Sequence, residues 1–356
     1  MPAAGTSHSW CAYPDAACDP TGYRYSTLDV GDMLSGKCVP GVNPGIDAGI
    51  DADIDAGIDA APAPSFSSCN QLSHTCGANA NDDCCNSPEV VGGTFARSFD
   101  LAGFGDTSAP ATISDFRLDK YEVTVGRFRS FVNAGMGTQA HVPAPGDGAR
   151  ANIPGSGWDA AWSAKLLIDK NALLSALKCG FDYTWTDAHG TNEKESLPIN
   201  CISWYEAFAF CAWDGGYLPT EAEWNYAAAG GAEQRAYPWS IPGGATTLDP
   251  SYASYAPSAN QGGPITAVGS KPMGNGRWSQ SDLAGNVSEW VLDTSTDYVT
   301  PCVDCANMVE VNGRIFRGGS FESQPPDLRT GGRDWTPAAS HVWPYGVRCA
   351  RPSARN

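Results

Sequence analysis

The chain has 356 residues, enough for one large domain or two smaller ones that each bury a core. Its formal net charge of -17 at pH 7 repels phosphate backbones and anionic lipid headgroups, which argues against nucleic acid and membrane surfaces as partners. Its 13 cysteines are too many for a reduced cytosolic protein without a metal cluster, and their spacings do not match zinc-finger patterns. These features predict an extracytoplasmic protein, whether secreted, periplasmic or surface-bound, that contains disulfide bonds.

The first residues do not resemble a signal peptide, because a polar run follows Met1 without a basic or apolar region. We therefore expect that a targeting segment is missing from this chain. No window approaches the 18 apolar residues that a membrane span needs, so no membrane span is expected. The oligomeric state is left open by the sequence.

Three segments precede the main part of the chain. Residues 1–42 form a small cysteine-containing segment, in which the pairing of Cys11, Cys18 and Cys38 stays open. Residues 43–65 repeat Ile-Asp-Ala-Gly units, and their mutually repelling aspartates predict a disordered acidic linker. The alternative, a calcium-binding repeat, would need a glycine-rich nonapeptide pattern that is absent.

Residues 66–90 are predicted to be a disulfide-rich lead-in to the main domain. Cys84 and Cys85 are adjacent and cannot easily bond each other, so each is expected to pair with Cys69 or Cys76. A small structural knot is favoured over a redox site.

The predicted elements of the main domain, residues 91–353, follow in chain order. Residues 90–95 read as a short strand with a turn, and the alternation over residues 111–123 predicts a half-buried strand. Apolar spacing predicts a helix over 125–134, and two capping-box patterns predict helices over 203–213 and 220–229. With 40 glycines, 26 prolines and 12 tryptophans, the composition favours a loop-rich fold with modest regular structure.

Six motifs then occur in a fixed order. They are FRLDKYEVT at 116–124, PINCISW at 198–204, GYLPTEAEW at 216–224 with YPW at 237–239, DLAGNVSEW at 282–290, RGGSF at 317–321 and GVRCA at 346–350. In this order they resemble the formylglycine-generating (sulfatase-modifying) enzyme family. The resemblance implies an α+β domain with low secondary-structure content, a variant of the C-type-lectin-like fold.

The resemblance also implies a structural calcium ion. Carried over by position, Asp282 and Glu289 would be carboxylate ligands, while Leu283, Gly285 and Val287 would offer backbone carbonyls. Calcium accepts six to eight oxygens of this mixed kind. The alternative is a helix-start pattern with solvated acids.

A family disulfide maps onto Cys211 and Cys349 by the same resemblance, and it would close a loop of about 140 residues. The remaining pairs are Cys179 with Cys201 and Cys302 with Cys305. The Cys302–Cys305 spacing is that of a redox dithiol, but no helix follows it to stabilise a thiolate, so a structural clip is favoured.

The aerobic enzymes of this family oxidise a client cysteine to formylglycine with oxygen, copper and two cysteines that follow the RGGS segment. In this chain Ser323 and Leu328 take those two positions, and residues 320–329 contain no cysteine. Soft sulfur ligands select cuprous copper, so copper is not expected here and no catalytic residue is assigned.

A peptide groove is the remaining site hypothesis. Its candidate residues lie where the family holds an extended peptide, namely Ser320, Glu322, Ser323, Arg329, Arg333 and Trp335. The alternative is that these are ordinary loop residues. Two functions stay open: a sulfatase-modifying-factor-like protein of doubtful oxidase activity that acts on a peptide or protein client, or a non-catalytic, calcium-stabilised, lectin-like binding or surface module.

Overall fold

The computed structural model describes residues 12–14, 23–25, 66–69, 75–187, 193–259 and 261–354. The chain divides into two compact units, residues 1–63 and 64–356. In the first unit, strands β1 (Ala12–Pro14) and β2 (Tyr23–Tyr25) pair antiparallel. The predicted linker at 43–65 and the cysteines Cys11, Cys18 and Cys38 lie outside the described residues.

The described residues of the second unit contain four short α-helices: α1 (Val125–Asn133), α2 (Lys170–Ala176), α3 (Trp204–Trp213) and α4 (Glu221–Ala228). Both predicted capping boxes are formed. The hydroxyls of Ser203 and Thr220 each accept a hydrogen bond from the backbone amide three residues later, and the carboxylates of Glu206 and Glu223 each accept one from the amide of the cap residue. The helices predicted over 125–134, 203–213 and 220–229 are confirmed as α1, α3 and α4.

Ten short strands among the described residues of this unit form three sheets. The strands are β3 (Glu89–Val90), β4 (Gly93–Ala96), β5 (Pro110–Ile113), β6 (Phe116–Leu118), β7 (Ser288–Thr294), β8 (Cys302–Val303), β9 (Gly313–Arg317), β10 (Asp334–Pro337), β11 (Tyr345–Gly346) and β12 (Ala350–Pro352). Their spatial orders are β10-β9-β7-β11, β12-β6-β3 and β4-β5-β8. The β11–β7 and β5–β8 pairs are parallel and the others antiparallel. The predicted α+β class with low secondary-structure content is confirmed.

The strand predicted over 111–123 is in fact two strands, β5 and β6. The chain breaks between them, where the Ser114 amide donates to Asp304 Oδ1 at 2.7 Å and Asp115 Oδ1 accepts from the Gly92 amide at 2.8 Å. These polar contacts replace ladder hydrogen bonds, which a period-two pattern cannot reveal. Likewise, the strand predicted over 90–95 is divided between β3 and β4.

The turn between α3 and α4 brings the two helices against strand β12. Gly216 allows this approach, since a Cβ there would lie 2.6 Å from the Ala350 carbonyl oxygen. Tyr217 and Ala350 exchange both backbone hydrogen bonds at 2.9 Å. A disulfide between Cys211 of α3 and Cys349 closes the same region.

The core has two main hydrophobic clusters. One surrounds α1 and α3 and includes the fully buried indoles of Trp204 and Trp290. The other packs α4 against β4, β5, β6, β7 and β9. Both clusters use residues from β7, so this strand connects the two halves of the core.

A buried ion network fixes the lead-in to the core. Arg127 donates to Asp119 at 2.9 Å and to Asp214 at 2.6 Å, and Arg351 reaches Asp214 at 2.7 Å. The amide of Ser68 also donates to Asp214, at 2.7 Å. Residues 66–69, α1, α3 and β12 therefore share one set of buried charges.

Five disulfides are present among the described residues: Cys69–Cys85, Cys76–Cys84, Cys179–Cys201, Cys211–Cys349 and Cys302–Cys305. The first two resolve the choice that the sequence left open for the lead-in. As for membranes, none of the helices in the described ranges is both long enough and apolar enough to cross a bilayer.

Candidate functional site

A cavity of about 470 Å³ opens beside the loop that connects β9 to β10. Its wall is formed by residues 316–320, 322–323, 326–327 and 332–334, together with Phe104, Ser288, Pro344 and Tyr345. This volume lies within the range of small-ligand sites and could hold a few residues of an extended peptide.

Two glycines shape the entrance to the β9–β10 loop. Gly318 and Gly319 have φ values of +90° and +66°, a region that other residues rarely adopt. A Cβ on Gly319 would also lie 3.0 Å from the Asp327 carbonyl oxygen. The RGGS sequence therefore turns the chain sharply, which places Ser320 and Ser323 at the cavity wall.

The predicted groove residues divide into two sets. Ser320, Glu322, Ser323 and Arg333 line the cavity. Arg329 instead has its guanidinium 3.9 Å from Asp100, and it is not part of the wall. Trp335 is also off the wall; it lies on β10 with 56% of its surface exposed and covers Gly313.

The two positions that the resemblance assigns to the copper-binding cysteines have separate surroundings. Ser323 lines the cavity, and its hydroxyl accepts from the Ser320 amide at 2.9 Å. Leu328 is 1% exposed and packs in a small hydrophobic cluster with Tyr237 and Tyr255. Neither cysteine nor histidine is found among the residues of the cavity wall.

Behind two arginines of the cavity wall, Arg317 and Arg333, lies a buried charge cluster that sequence reasoning missed. Arg317 and Arg333 both bind Glu221, at 2.9 Å and 2.8 Å. The Tyr298 hydroxyl lies 3.2 Å from the same carboxylate. Beside them, burial raises the pKa of Asp293 to about 7, with the charge of Glu221 adding to the effect. Glu221 is the first residue of the capped helix α4, and nothing in that sequence pattern indicates that it also contacts two arginines of the cavity wall.

The rim of the cavity is acidic. Glu322, Asp327 and Asp334 are exposed, and within the described part of the chain none of them forms a salt bridge. Glu322 accepts a hydrogen bond from the Trp343 indole at 2.7 Å. Three carboxylates and two guanidinium groups therefore line the cavity, and both arginines are paired with Glu221 behind the wall, so the site is net negative.

The segment predicted to bind calcium lies directly behind this loop. The Gly285 amide donates to the Gly318 carbonyl at 3.0 Å, and the Phe321 amide donates to the Asn286 carbonyl at 2.8 Å. Asp282 and Glu289 are 6% and 1% exposed. The loop and the acidic segment therefore form one continuous structure.

Glu289 is engaged by other side chains. Arg348 binds both of its carboxylate oxygens at 2.6 Å, and the Trp224 indole donates to Oε2 at 2.7 Å. Asp282 accepts from the Gly269 amide at 2.6 Å. The backbone carbonyls of Leu283, Gly285 and Val287 lie in the segment between these two acids. Because Arg348 and Trp224 already bind the carboxylate oxygens of Glu289, this side chain has little remaining capacity to bind an ion.

A third buried acid, Glu122, completes this region. It accepts from the Asn286 side chain at 2.7 Å and from the Val287 amide at 3.1 Å. Burial, then the charges of Asp282 and Glu289, raise the pKa of Glu122 well above its ordinary value. Burial likewise raises the pKa of Asp282 to about 6. Three buried carboxylates thus lie near one guanidinium group, that of Arg348, which contacts only Glu289 among them, and a cation would relieve this anionic excess.

Glu122 could have been noticed in the sequence, since it lies directly between the aromatic Tyr121 and the apolar Val123. Across the residues that the structure describes, no group of three or more His, Cys, Asp or Glu side chains is arranged to hold a metal. The calcium site that the resemblance implies takes part of its ligands from backbone carbonyls, so it does not require a group of three such side chains.

The glycine turn, the cavity beside it and the acidic segment behind it, on an α+β scaffold, define a domain of the formylglycine-generating-enzyme type. Among solved structures, PvdO from Pseudomonas aeruginosa shares this fold, with 20% identity, a TM-score of 0.51, and coverage of 74% of this chain and 93% of that one.

Sequence comparison identifies the family. The model of the sulfatase-modifying factor enzyme 1-like domain matches residues 76–353. The formylglycine-generating enzyme of Streptomyces coelicolor is 31% identical over 305 residues, 73% of this chain and 87% of that enzyme. The inactive C-alpha-formylglycine-generating enzyme 2 of Mus musculus is 30% identical over 225 residues, 58% of this chain and 68% of that protein. The chain belongs to the sulfatase-modifying factor family.

Proposed function

We propose that this protein is an extracytoplasmic binding member of the family, which holds an extended, basic peptide or protein segment in its cavity and does not carry out copper-dependent formylglycine formation. The observation that carries the proposal is the cavity wall itself. It offers hydroxyls, carboxylates and guanidinium groups, and of the two positions where the oxidase needs thiolates it includes only Ser323, as a hydroxyl.

The substitution of both thiol positions argues against the oxidase chemistry. A Ser323 hydroxyl is a hard, neutral ligand, and Leu328 has no ligand atom and packs away from the cavity. Cuprous copper prefers soft sulfur donors, so these residues do not fit the ion. The name of the mouse relative supports the proposal, because it describes a family member that is inactive.

Charge favours a basic occupant. The rim carboxylates Glu322, Asp327 and Asp334 are exposed at the cavity, while both arginines of the wall are already paired with Glu221. Phe104, Phe316 and Tyr345 add aromatic surface that suits the aliphatic stem or the face of an arginine side chain.

A structural calcium ion and an oxidising location belong to the same proposal. The excess of buried carboxylates over the single guanidinium of Arg348 supports a cation near Asp282, and the bound ion would stabilise the loop that forms the cavity wall. Five disulfides support a compartment where such bonds persist.

Binding of fluorescent peptides tests the proposal. An extended lysine- and arginine-containing peptide should bind, and its acidic counterpart should not. The double variant Glu322→Gln/Asp327→Asn should weaken binding by about fivefold, because each exposed ion pair contributes about 0.2 to 1 kcal/mol. Asp249→Asn is the matched control, since Asp249 is exposed outside the cavity and binds only its neighbour Ser251. Equal binding of both peptides would refute a charge-selective groove.

A further inference from the structure

The Cys302–Cys305 disulfide differs from the other four in what surrounds it. Nη1 of Arg97 lies 3.5 Å from Cys305 Sγ, and Arg97 is 3% exposed. Cys302 is buried, whereas Cys305 is partly exposed beside the exposed Val303. A cation in contact with sulfur stabilises the thiolate that forms when the bond is reduced.

Arg97 has no carboxylate partner within ion-pair distance among the described residues. Its other donors bind the Ala109 carbonyl at 3.2 Å and the Val299 carbonyl at 2.6 Å. The charged groups that face it from farther away are Glu221, Asp293 and Arg333, and its guanidinium lies 4.4 Å from the centre of the Tyr298 ring. Because a buried cation without a direct anion is costly, a thiolate at Cys305 would compensate it.

The backbone around the pair is fixed independently of the S–S bond. The Asp304 amide donates to the Thr112 carbonyl at 3.0 Å, and Asp304 accepts from the amide and hydroxyl of Ser114 at 2.7 Å and 2.6 Å. Strand β8 also pairs with β5 at Cys302. The two sulfurs therefore stay close together after reduction, ready to exchange again.

Loop length points the same way. Cys302 and Cys305 are three residues apart, whereas the other pairs are separated by 8, 16, 22 and 138 residues. A disulfide stabilises a fold more when it closes a longer loop, so this bond contributes least to stability and costs least to open.

We propose that Cys302 and Cys305 form a thiol–disulfide exchange site, with Arg97 as the residue that stabilises the Cys305 thiolate, and that the site oxidises an external dithiol. A client thiolate attacks Cys305 Sγ, and the bond to Cys302 breaks with its electron pair on the Cys302 sulfur, which takes a proton. The second client thiolate attacks the client sulfur of the mixed disulfide and releases the Cys305 thiolate beside Arg97. The client gains one disulfide and loses two protons, of which Cys302 takes one and solvent the other, while the protein pair accepts two electrons.

This site is separate from the cavity, whose wall includes neither cysteine. Its test is therefore independent of peptide binding. The whole protein is equilibrated at pH 8 with graded ratios of reduced and oxidised dithiothreitol, then alkylated and mapped by mass spectrometry. Cys302 and Cys305 should become reduced at a less reducing ratio than the other four pairs.

Variants assign the role of Arg97. Arg97→Met should shift the midpoint ratio of this pair about tenfold toward more reducing buffer, since an adjacent opposite charge favours an ionised group by about ten- to a thousandfold. Arg97→Lys keeps the positive charge, so its midpoint ratio should stay close to that of the wild-type protein. Arg277→Met is the control, because Arg277 lies over Trp278 and binds Glu233 instead.

A second measurement applies even if Arg97→Met fails to fold. In the reduced wild-type protein, Cys305 should be alkylated by iodoacetamide at a lower pH than Cys302. A dithiol peptide should also be oxidised in one turnover, with one equivalent of peptide disulfide per protein. Reduction of this pair together with or after Cys179–Cys201, or equal alkylation of both cysteines at every pH, would overturn the proposal.

Discussion

Asp214 offers the sharpest test of how the fold is held together. It is fully buried and accepts from Arg127 at 2.6 Å, from Arg351 at 2.7 Å and from the Ser68 amide at 2.7 Å. Asp214→Asn keeps the size of the side chain and removes its charge. Asp119 would then be the one carboxylate in contact with both buried guanidinium groups.

The expected loss is large. Removing one member of a buried ion network leaves an uncompensated charge and typically costs about 3 to 5 kcal/mol. The matched control is Asp187→Asn, because Asp187 pairs with Lys178 at 2.5 Å while its side chain is 62% exposed. An exposed pair of this kind contributes at most about 1 kcal/mol. The two substitutions are chemically identical, so burial and the number of charged partners separate their effects.

Urea unfolding followed by tryptophan fluorescence measures both free energies. The dependence on pH adds a second readout. Burial by itself would raise the pKa of Asp214, but the charges of Arg127 and Arg351 lower it below its ordinary value. Its contribution is therefore present above about pH 4, where the unfolded carboxyl is ionised, and is lost as the pH falls through the lower folded value. A cost for Asp214→Asn equal to that of Asp187→Asn would refute the network argument.

Three further outcomes are expected. A calcium chelator should lower the melting temperature by about 5 °C, from roughly 2.7 kcal/mol of linkage at 100-fold excess over Kd; Asp282→Asn should abolish most of that response, and an unresponsive wild-type protein would contradict a calcium site. A Cys-x-Pro-x-Arg peptide incubated with copper and reductant should stay unmodified by mass, while turnover would show that Ser323 and Leu328 do not mark a lost activity. Finally, burial by itself would lower the pKa of His341, but the Glu206 carboxylate 2.8 Å from its ring raises that pKa by more, to a net value above the ordinary one. The stability contributed by His341 should therefore be complete below about pH 6.5 and fade at higher pH, a trend that urea titrations should no longer show in His341→Gln.

Local signals in the sequence predicted the helices well. The capping boxes at Ser203 and Thr220 depend on side chains three residues apart, so they can be read without knowledge of the fold. Helix α2 was missed because it is seven residues long and its N-cap, Asp169, has no capping-box partner. Short helices of this kind depend on tertiary packing, which a local pattern does not contain.

The sequence predicted where the loop of the candidate site lies, but it did not predict correctly which of its side chains face the cavity. The RGGS turn identified the loop, but Arg329 and Trp335 leave the cavity because the loop turns again around Pro325–Leu328 and β10 runs along an exposed edge. The contact between Arg97 and Cys305 joins residues 208 positions apart. No sequence spacing could indicate such a pair.

The bonds made by residues 347–352 determine when this domain can fold during synthesis. Cys349 joins helix α3, Arg351 reaches Asp119 and Asp214, and β12 pairs with β6 near the start of the domain. A ribosome that has not yet released this stretch holds a chain in which Asp119 and Asp214 lack their second guanidinium partner and the sheet that contains β6 lacks a strand. The domain therefore cannot complete its folding before residues 347–352 have left the ribosome, and a chain that lacks them should lose a disulfide, a buried guanidinium group and a strand together.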